Sequence, residues 1–128
     1  MKKKLLLVSL IGLSIVSSAY GACENGISAG SFCIGPKPIN WWSAFSWCKA
    51  NNMELASMYD ICPEWDGNTG SEKCPILNAQ LASSGACVWT TTASGENEVF
   101  RVHSWNGEVS SWSRNGDGDR SGNRPICK

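Results

Sequence analysis

The stretch Trp41–Ser57, WWSAFSWCKANNMELAS, decides how the rest of the chain must be arranged. Trp41, Ala44, Phe45 and Cys48 fall at i, i+3, i+4 and i+7, which is the apolar stripe of an amphipathic helix. Asn40 suits the N-cap, because its side-chain oxygen can accept an orphan N–H of the first turn. Asn51-Asn52 suits the exit, since Asn tolerates the left-handed conformation that a helix end often needs. Met53-Glu54-Leu55-Ala56 then reads as a short extended link back into the core. Ser57 and Asp60 form a capping box that opens a second short helix at Met58. A half-cystine on the packed side of the first helix ties it to something distant. Cys127, the last cysteine, is the expected partner, and that bond closes the domain end to end.

Upstream, Lys2-Lys3-Lys4 precede an apolar run from Leu5 to Val16. Small residues at Ser17-Ser18-Ala19 and Ala19-Tyr20-Gly21 then offer cleavage sites. This is the layout of a secretory signal peptide over residues 1–21, and it predicts an exported chain. The run is short for a membrane span, and no transmembrane segment is expected in the mature chain. Cys23 follows Gly21-Ala22 and so invites comparison with a lipoprotein anchor. Tyr20 stands where such signals favour Leu, however, and soluble secretion (or a periplasmic or surface location) is the preferred reading.

Residues 22–128 are enough for one domain. Three of the eleven basic residues leave with the signal, while all eleven acidic ones stay. The mature chain is mildly acidic, and without a basic patch nucleic acid is not an expected partner. Seven cysteines with no C-x-x-C and one histidine read as a disulfide framework and not a metal site.

Six paired cysteines allow many connectivities, and spacing only sets a preference. Cys23 and Cys33 bracket a glycine-rich hairpin loop. Cys62 and Cys74 bracket PEWDGNTGSEK, which is all turn chemistry. Cys48–Cys127 is then the long tie, and Cys87 is left over. If Cys23 were lipidated, Cys33 would need another partner, for which Cys87 is available.

Pro75–Ala82 reads as one helical turn or two. Ala86–Thr92, β-branched and aromatic, reads as a strand that enters the core. Val99–Trp105 alternates, with Val99, Arg101, His103 and Trp105 on one face and Phe100, Val102 and Ser104 on the other. Asn106-Gly107 signals a two-residue type I′ hairpin turn, with Glu108–Trp112 returning. A polar loop, Arg114–Asn123, leads to a short closing strand.

The order of Trp42, Ala44 and Cys48, then Leu55-Ala56-Ser57, Val88-Trp89 and Pro125-Ile126-Cys127, resembles the C-type lectin-like domain, and within it a compact bacterial-type exported member. Cys23 and Cys33 look like the extra N-terminal hairpin of its long-form members. The resemblance covers Cys23–Lys128. It implies an α+β fold of two short helices with small antiparallel sheets, stapled by disulfides. The sugar- and calcium-binding Glu-Pro-Asn or Gln-Pro-Asp motif of that family is absent, and only 37 residues separate Trp89 from Cys127, so the loop that carries it looks trimmed.

Asn115, Asp117, Asp119 and Ser121 alternate, so their oxygens can converge on Ca²⁺. The competing reading is a glycine-rich solvated loop, and no cofactor is expected. Asp66-Gly67-Asn68 carries the same ambiguity with a stronger turn signature. His103 on a strand reads more readily as a packing residue than as a general base. Cys87, flanked by Ala86 and Val88, has no activating neighbour in sequence. Catalysis is not expected, and a relation to formylglycine-generating folds is the remote alternative.

Seven tryptophans are the compositional excess. Trp41 or Trp42 and Trp89 are core candidates, while Trp47, Trp65 and Trp112 are expected to be partly exposed. Surface aromatics beside Asn, Asp and Ser suit protein or sugar recognition. The expectation is a secreted or surface-associated, adhesin-like module without catalysis, binding a protein or glycan partner. A protein is favoured because the calcium–sugar motif is missing. Its ligand-binding residues would be Trp105, Asn106, Glu108, Trp112, Asn115, Asp117 and Asp119. The alternative is a purely structural, disulfide-stapled surface protein.

Overall fold

The computed structural model describes residues 23–70, 74–116 and 122–128. The expected signal peptide over residues 1–21, and Asp117, Asp119 and Ser121, lie outside the described residues. The chain forms β1 (Ile27–Ala29), β2 (Phe32–Ile34), α1 (Trp41–Ala50), α2 (Met58–Ile61), a 3₁₀ segment (Ala79–Ser84), β3 (Cys87–Ala93), β4 (Glu98–His103), β5 (Val109–Ser113) and β6 (Asn123–Cys127). It is a small α+β domain whose strands join in one six-stranded mixed sheet, ordered β1-β2-β6-β3-β4-β5.

The local signals around α1 act as the residues dictate. Asn40 Oδ1 accepts the Ser43 N–H at 2.8 Å. Asn52, at φ 59°, takes the left-handed exit. Ser57 Oγ accepts the Asp60 N–H at 3.1 Å, and Asp60 Oδ2 accepts the Ser57 N–H at 2.9 Å, completing the capping box. The Met53–Ala56 link runs against the C-terminal strand: Leu55 bridges Cys127, and Glu54 and Lys128 exchange backbone hydrogen bonds.

Strand alternation sorts the core into two layers. Val88, Val102, Ile126 and Ile34 pack with Met58, Ile61 and Trp65 on one side of the sheet. Trp89, Val99, Cys127 and Cys33 pack with Trp41, Ala44 and Cys48 on the other. So α1 covers one face, and α2 with the Cys62–Cys74 loop covers the opposite face. The indole N–H of buried Trp89 donates to Ile39 O at 2.8 Å and that of Trp41 to Thr90 O at 2.9 Å, so neither is buried unmet. The disulfides are Cys23–Cys33, Cys48–Cys127 and Cys62–Cys74, with Cys87 free and buried.

Three expectations need correction. The sheet is continuous and mixed, not a set of small antiparallel sheets: β6 inserts between β2 and β3 and runs parallel to β3. A proline inside a central strand is unusual because it cannot donate to a ladder. Here Gly35 makes room, since a Cβ there would meet the Pro125 ring at 2.6 Å. Trp65, expected to be partly exposed, is only 7% exposed; it stands edge-on to Phe100, 4.6 Å between ring centres, and donates to Asn68 O at 2.9 Å. The crosslinked loop folds onto the sheet and uses Trp65 as its plug.

The third correction is the β4–β5 turn. It is wider than two residues, with Val102 opposite Val109, and Asn106 does not adopt positive φ. Ser104 leaves the ladder because other backbone claims it: Ser104 Oγ donates to Ala86 O at 2.6 Å, and Ser104 O accepts from Leu77 and Asn78 at 2.9 Å. Gly107 (φ 75°) also abuts the Cys74 carbonyl, where a side chain would collide. The Asn-Gly signal therefore marks a docking point for the 74–86 segment.

Candidate functional site

The face of β3, β4, β5 and β6 that carries Trp89 turns polar toward the Cys87 end. Cys87 is register partner to both His103 and Asn123, and Trp89 to both Arg101 and Pro125. Across the next ladder Ser110 opposes Arg101 and Trp112 opposes Val99. Strand period therefore lines up Cys87, Arg101, His103, Ser110, Trp112 and Asn123 on one face.

Arg101 is the hub. Its Nε donates to Ser110 Oγ at 2.8 Å, and its Nη1 donates to Asn123 Oδ1 at 2.9 Å. The Trp112 ring covers it, 4.2 Å from guanidinium carbon to ring centre. Burial lowers the guanidinium pKa from its ordinary value, and the nearby Cys87 pulls the other way. Trp112 is 38% exposed, so its indole covers the cation while reaching solvent.

His103 forms the second group. Its Nε2 lies 3.3 Å from Ser110 Oγ, its Nδ1 3.8 Å from Glu108 Oε2, and Trp105 stacks on it at 5.0 Å between ring centres. Burial depresses its pKa, Glu108 opposes that shift, and Arg101 adds to it. Ser110, His103 and Glu108 thus stand in the order of a hydrolytic triad. The 3.8 Å gap exceeds a hydrogen bond, and Ser110 Oγ also accepts from Arg101 Nε. Cys87 is kept a thiol: burial raises its pKa, Arg101 opposes this, and Glu108 reinforces it.

Of the residues expected to bind ligand, Trp105 and Glu108 gather at His103 and Trp112 at Arg101. Asn106 serves the turn, its Oδ1 accepting the Glu108 N–H at 3.0 Å. Asn115 follows β5 in an exposed turn, its N–H donating to Ser113 Oγ at 3.2 Å. Asp117 and Asp119 lie outside the described residues. Among the described residues no group of three or more His, Cys, Asp or Glu is placed to hold a metal ion. Arg101, Ser110 and Asn123 join the site only in the folded structure and are absent from the residues expected from sequence. Alternation pairs Arg101 with His103 on one face, but Asn123 is indistinguishable in sequence from the rest of its polar loop.

Elsewhere, a concavity of about 350 Å³ is lined by Phe45, Lys49, Glu54, Asp60, Thr91 and Lys128, among others. Lys128 Nζ pairs with Asp60 Oδ2 there at 3.0 Å, so two of its charges answer each other. No helix among the described residues is long and apolar enough to cross a membrane. No family profile, curated protein or solved structure matches the chain.

Proposed function

We propose that this chain is an exported binding module of C-type lectin-like fold, non-catalytic and adhesin-like, which recognises a glycan or protein through the Arg101–Trp112 face. The observation that carries this reading is Trp112, a large indole on an edge strand, exposed although Arg101 holds it in place. An exposed aromatic fixed by a cation is a preorganised contact surface, which lowers the entropy cost of binding. Trp105 and Glu108 extend it with a second aromatic and an acceptor. Three disulfides fit folding in an oxidising compartment.

The test is an array of glycans and surface proteins, probed with the wild type and Trp112→Ala, with and without chelator. Binding lost in Trp112→Ala and indifferent to chelator supports this face. Chelator-sensitive binding would assign recognition to the loop from Asn115 to Ser121. No binding by the wild type would leave the purely structural role as the better reading.

A further inference from the structure

Asn-Gly pairs occur at Asn25-Gly26, Asn106-Gly107 and Asn115-Gly116. In such a pair the glycine nitrogen, unscreened by a side chain, can reach the Asn side-chain carbonyl carbon and displace ammonia. The fold treats the pairs unequally. Asn25 Nδ2 donates to Asn51 Oδ1 at 3.1 Å, and a Cβ on Gly26 would lie 2.6 Å from Ile34 O and 2.8 Å from Cys33 Sγ. Asn106 Oδ1 accepts the Glu108 N–H at 3.0 Å, while Gly107 donates to His103 O at 3.0 Å and abuts the Cys74 backbone. Both pairs are thus held by residues distant in sequence, and attack there needs the domain to open.

Asn115 is exposed, in the turn after β5. Its N–H donates to Ser113 Oγ at 3.2 Å, and the Gly116 N–H donates to Ser113 O at 3.1 Å. Among the described residues, the atoms nearest to a Cβ on Gly116 belong to Trp112 and Ser113, in the same turn. Opening such local contacts costs far less than opening a core.

We infer that Asn115 is a self-modification site, converted in the folded protein by its own neighbour Gly116. The Gly116 nitrogen gives up its proton to base and bonds to Asn115 Cγ. The Cγ–Nδ2 bond breaks, and ammonia leaves. Water then opens the succinimide at either carbonyl, giving aspartate or isoaspartate, with no change of oxidation state. Isoaspartate inserts an extra carbon into the backbone beside Gly116. That glycine lies against the Trp112 indole, where a Cβ would stand 2.7 Å from Nε1. The modification therefore acts on Trp112, at the edge of the proposed binding face, without depending on any ligand there.

The experiment holds the folded, disulfide-intact chain in mildly alkaline buffer and follows each Asn by peptide mapping and mass spectrometry. Asn115 should convert at least about tenfold faster than Asn25 or Asn106, as expected where distant contacts protect the slower sites. In the reduced, denatured chain the rates should converge. The Trp112 indole N–H resonance should split as isoaspartate accumulates, and Asn115→Gln should show neither change. Asn25 or Asn106 converting as fast as Asn115 in the folded chain would overturn the inference. So would a lead of Asn115 that persists undiminished after denaturation, because sequence and not fold would then set the rate. Conversion with no change at Trp112 would overturn the coupling to the indole.

Discussion

The guanidinium of Arg101 lies 4.2 Å from the ring centre of Trp112, although the two residues sit on different strands and neither is the other's register partner. Arg101 opposes Ser110, and Trp112 opposes Val99, so the stacking is diagonal across the β4–β5 ladder. Such diagonal neighbours are in reach of long and aromatic side chains. Trp105 and Trp112 are thus not a cross-strand pair that merely stiffens the hairpin; each covers a separate basic group. Trp112→Ala should remove ligand binding while lowering stability by no more than about 1 kcal/mol, the worth of one exposed cation–π contact. Chemical denaturation checks the second half.

The Cys48–Cys127 bond spans a sequence separation of 79, against 12 for Cys62–Cys74. In the chain-entropy view the longer tie contributes more, and Cys48→Ala should cost about 3–5 kcal/mol. Thermal melts of Cys48→Ala and Cys62→Ala check the order. If Cys62→Ala were the variant that failed to fold, α1 would not be the organising element.

Gly107→Ala should be worse than Gly67→Ala, although both glycines have positive φ. At Gly67 a Cβ meets nothing within 4 Å, so only the left-handed backbone is penalised, by about 1 kcal/mol. At Gly107 the same Cβ collides with the Cys74 backbone, which cannot rotate away. The second melt should therefore fall several times further than the first.

Acid should weaken the fold in two windows. His103 has a folded-state pKa depressed below its ordinary value near 6.5, chiefly by burial. The unfolded chain then takes up the proton first. Its stabilisation is complete above that value and is lost as pH falls from there through the folded pKa. Asp60 is also held low, mainly by the Ser57 backbone hydrogen bond and then by Lys128. Its contribution persists until pH drops below the ordinary carboxylate value of 3.8. Melting temperatures of wild type and His103→Gln between pH 8 and 5 check the upper window, and the variant should show a flatter slope.

Cys87 is 3% exposed and burial raises its pKa, so it should not react with a thiol reagent in the native state. One thiol should appear on unfolding without reductant. Zero thiols would mean a different pairing, and a native thiol reacting at once would place Cys87 outside the core.

Local chemistry made part of this legible in advance. Asn40, Ser57 and Asp60 cap helices through groups three residues away, so their signals survive in one dimension. The face shared by Arg101 and His103 follows from strand period alone. The parallel β3–β6 pairing was hidden, because nothing near Pro125 reveals which distant strand will accept it. The wide turn was hidden for a similar reason: Ser104 is captured by Ala86, Leu77 and Asn78, contacts that exist only after folding. Asn123 gained its place at Arg101 through that same β6 insertion.

A ligand held at the proposed face would meet Trp112 and Trp105. Seven indole N–H resonances give the most direct measurement, by NMR titration with the glycan or protein that binds. The indoles of Trp41, Trp65 and Trp89 donate to Thr90, Asn68 and Ile39, and should stay still. Those of Trp112 and Trp105 should shift together as ligand saturates. Shifts confined to Trp42 and Trp47 on α1, with Trp112 and Trp105 unmoved, would move the binding face to α1 and contradict a site at Trp112.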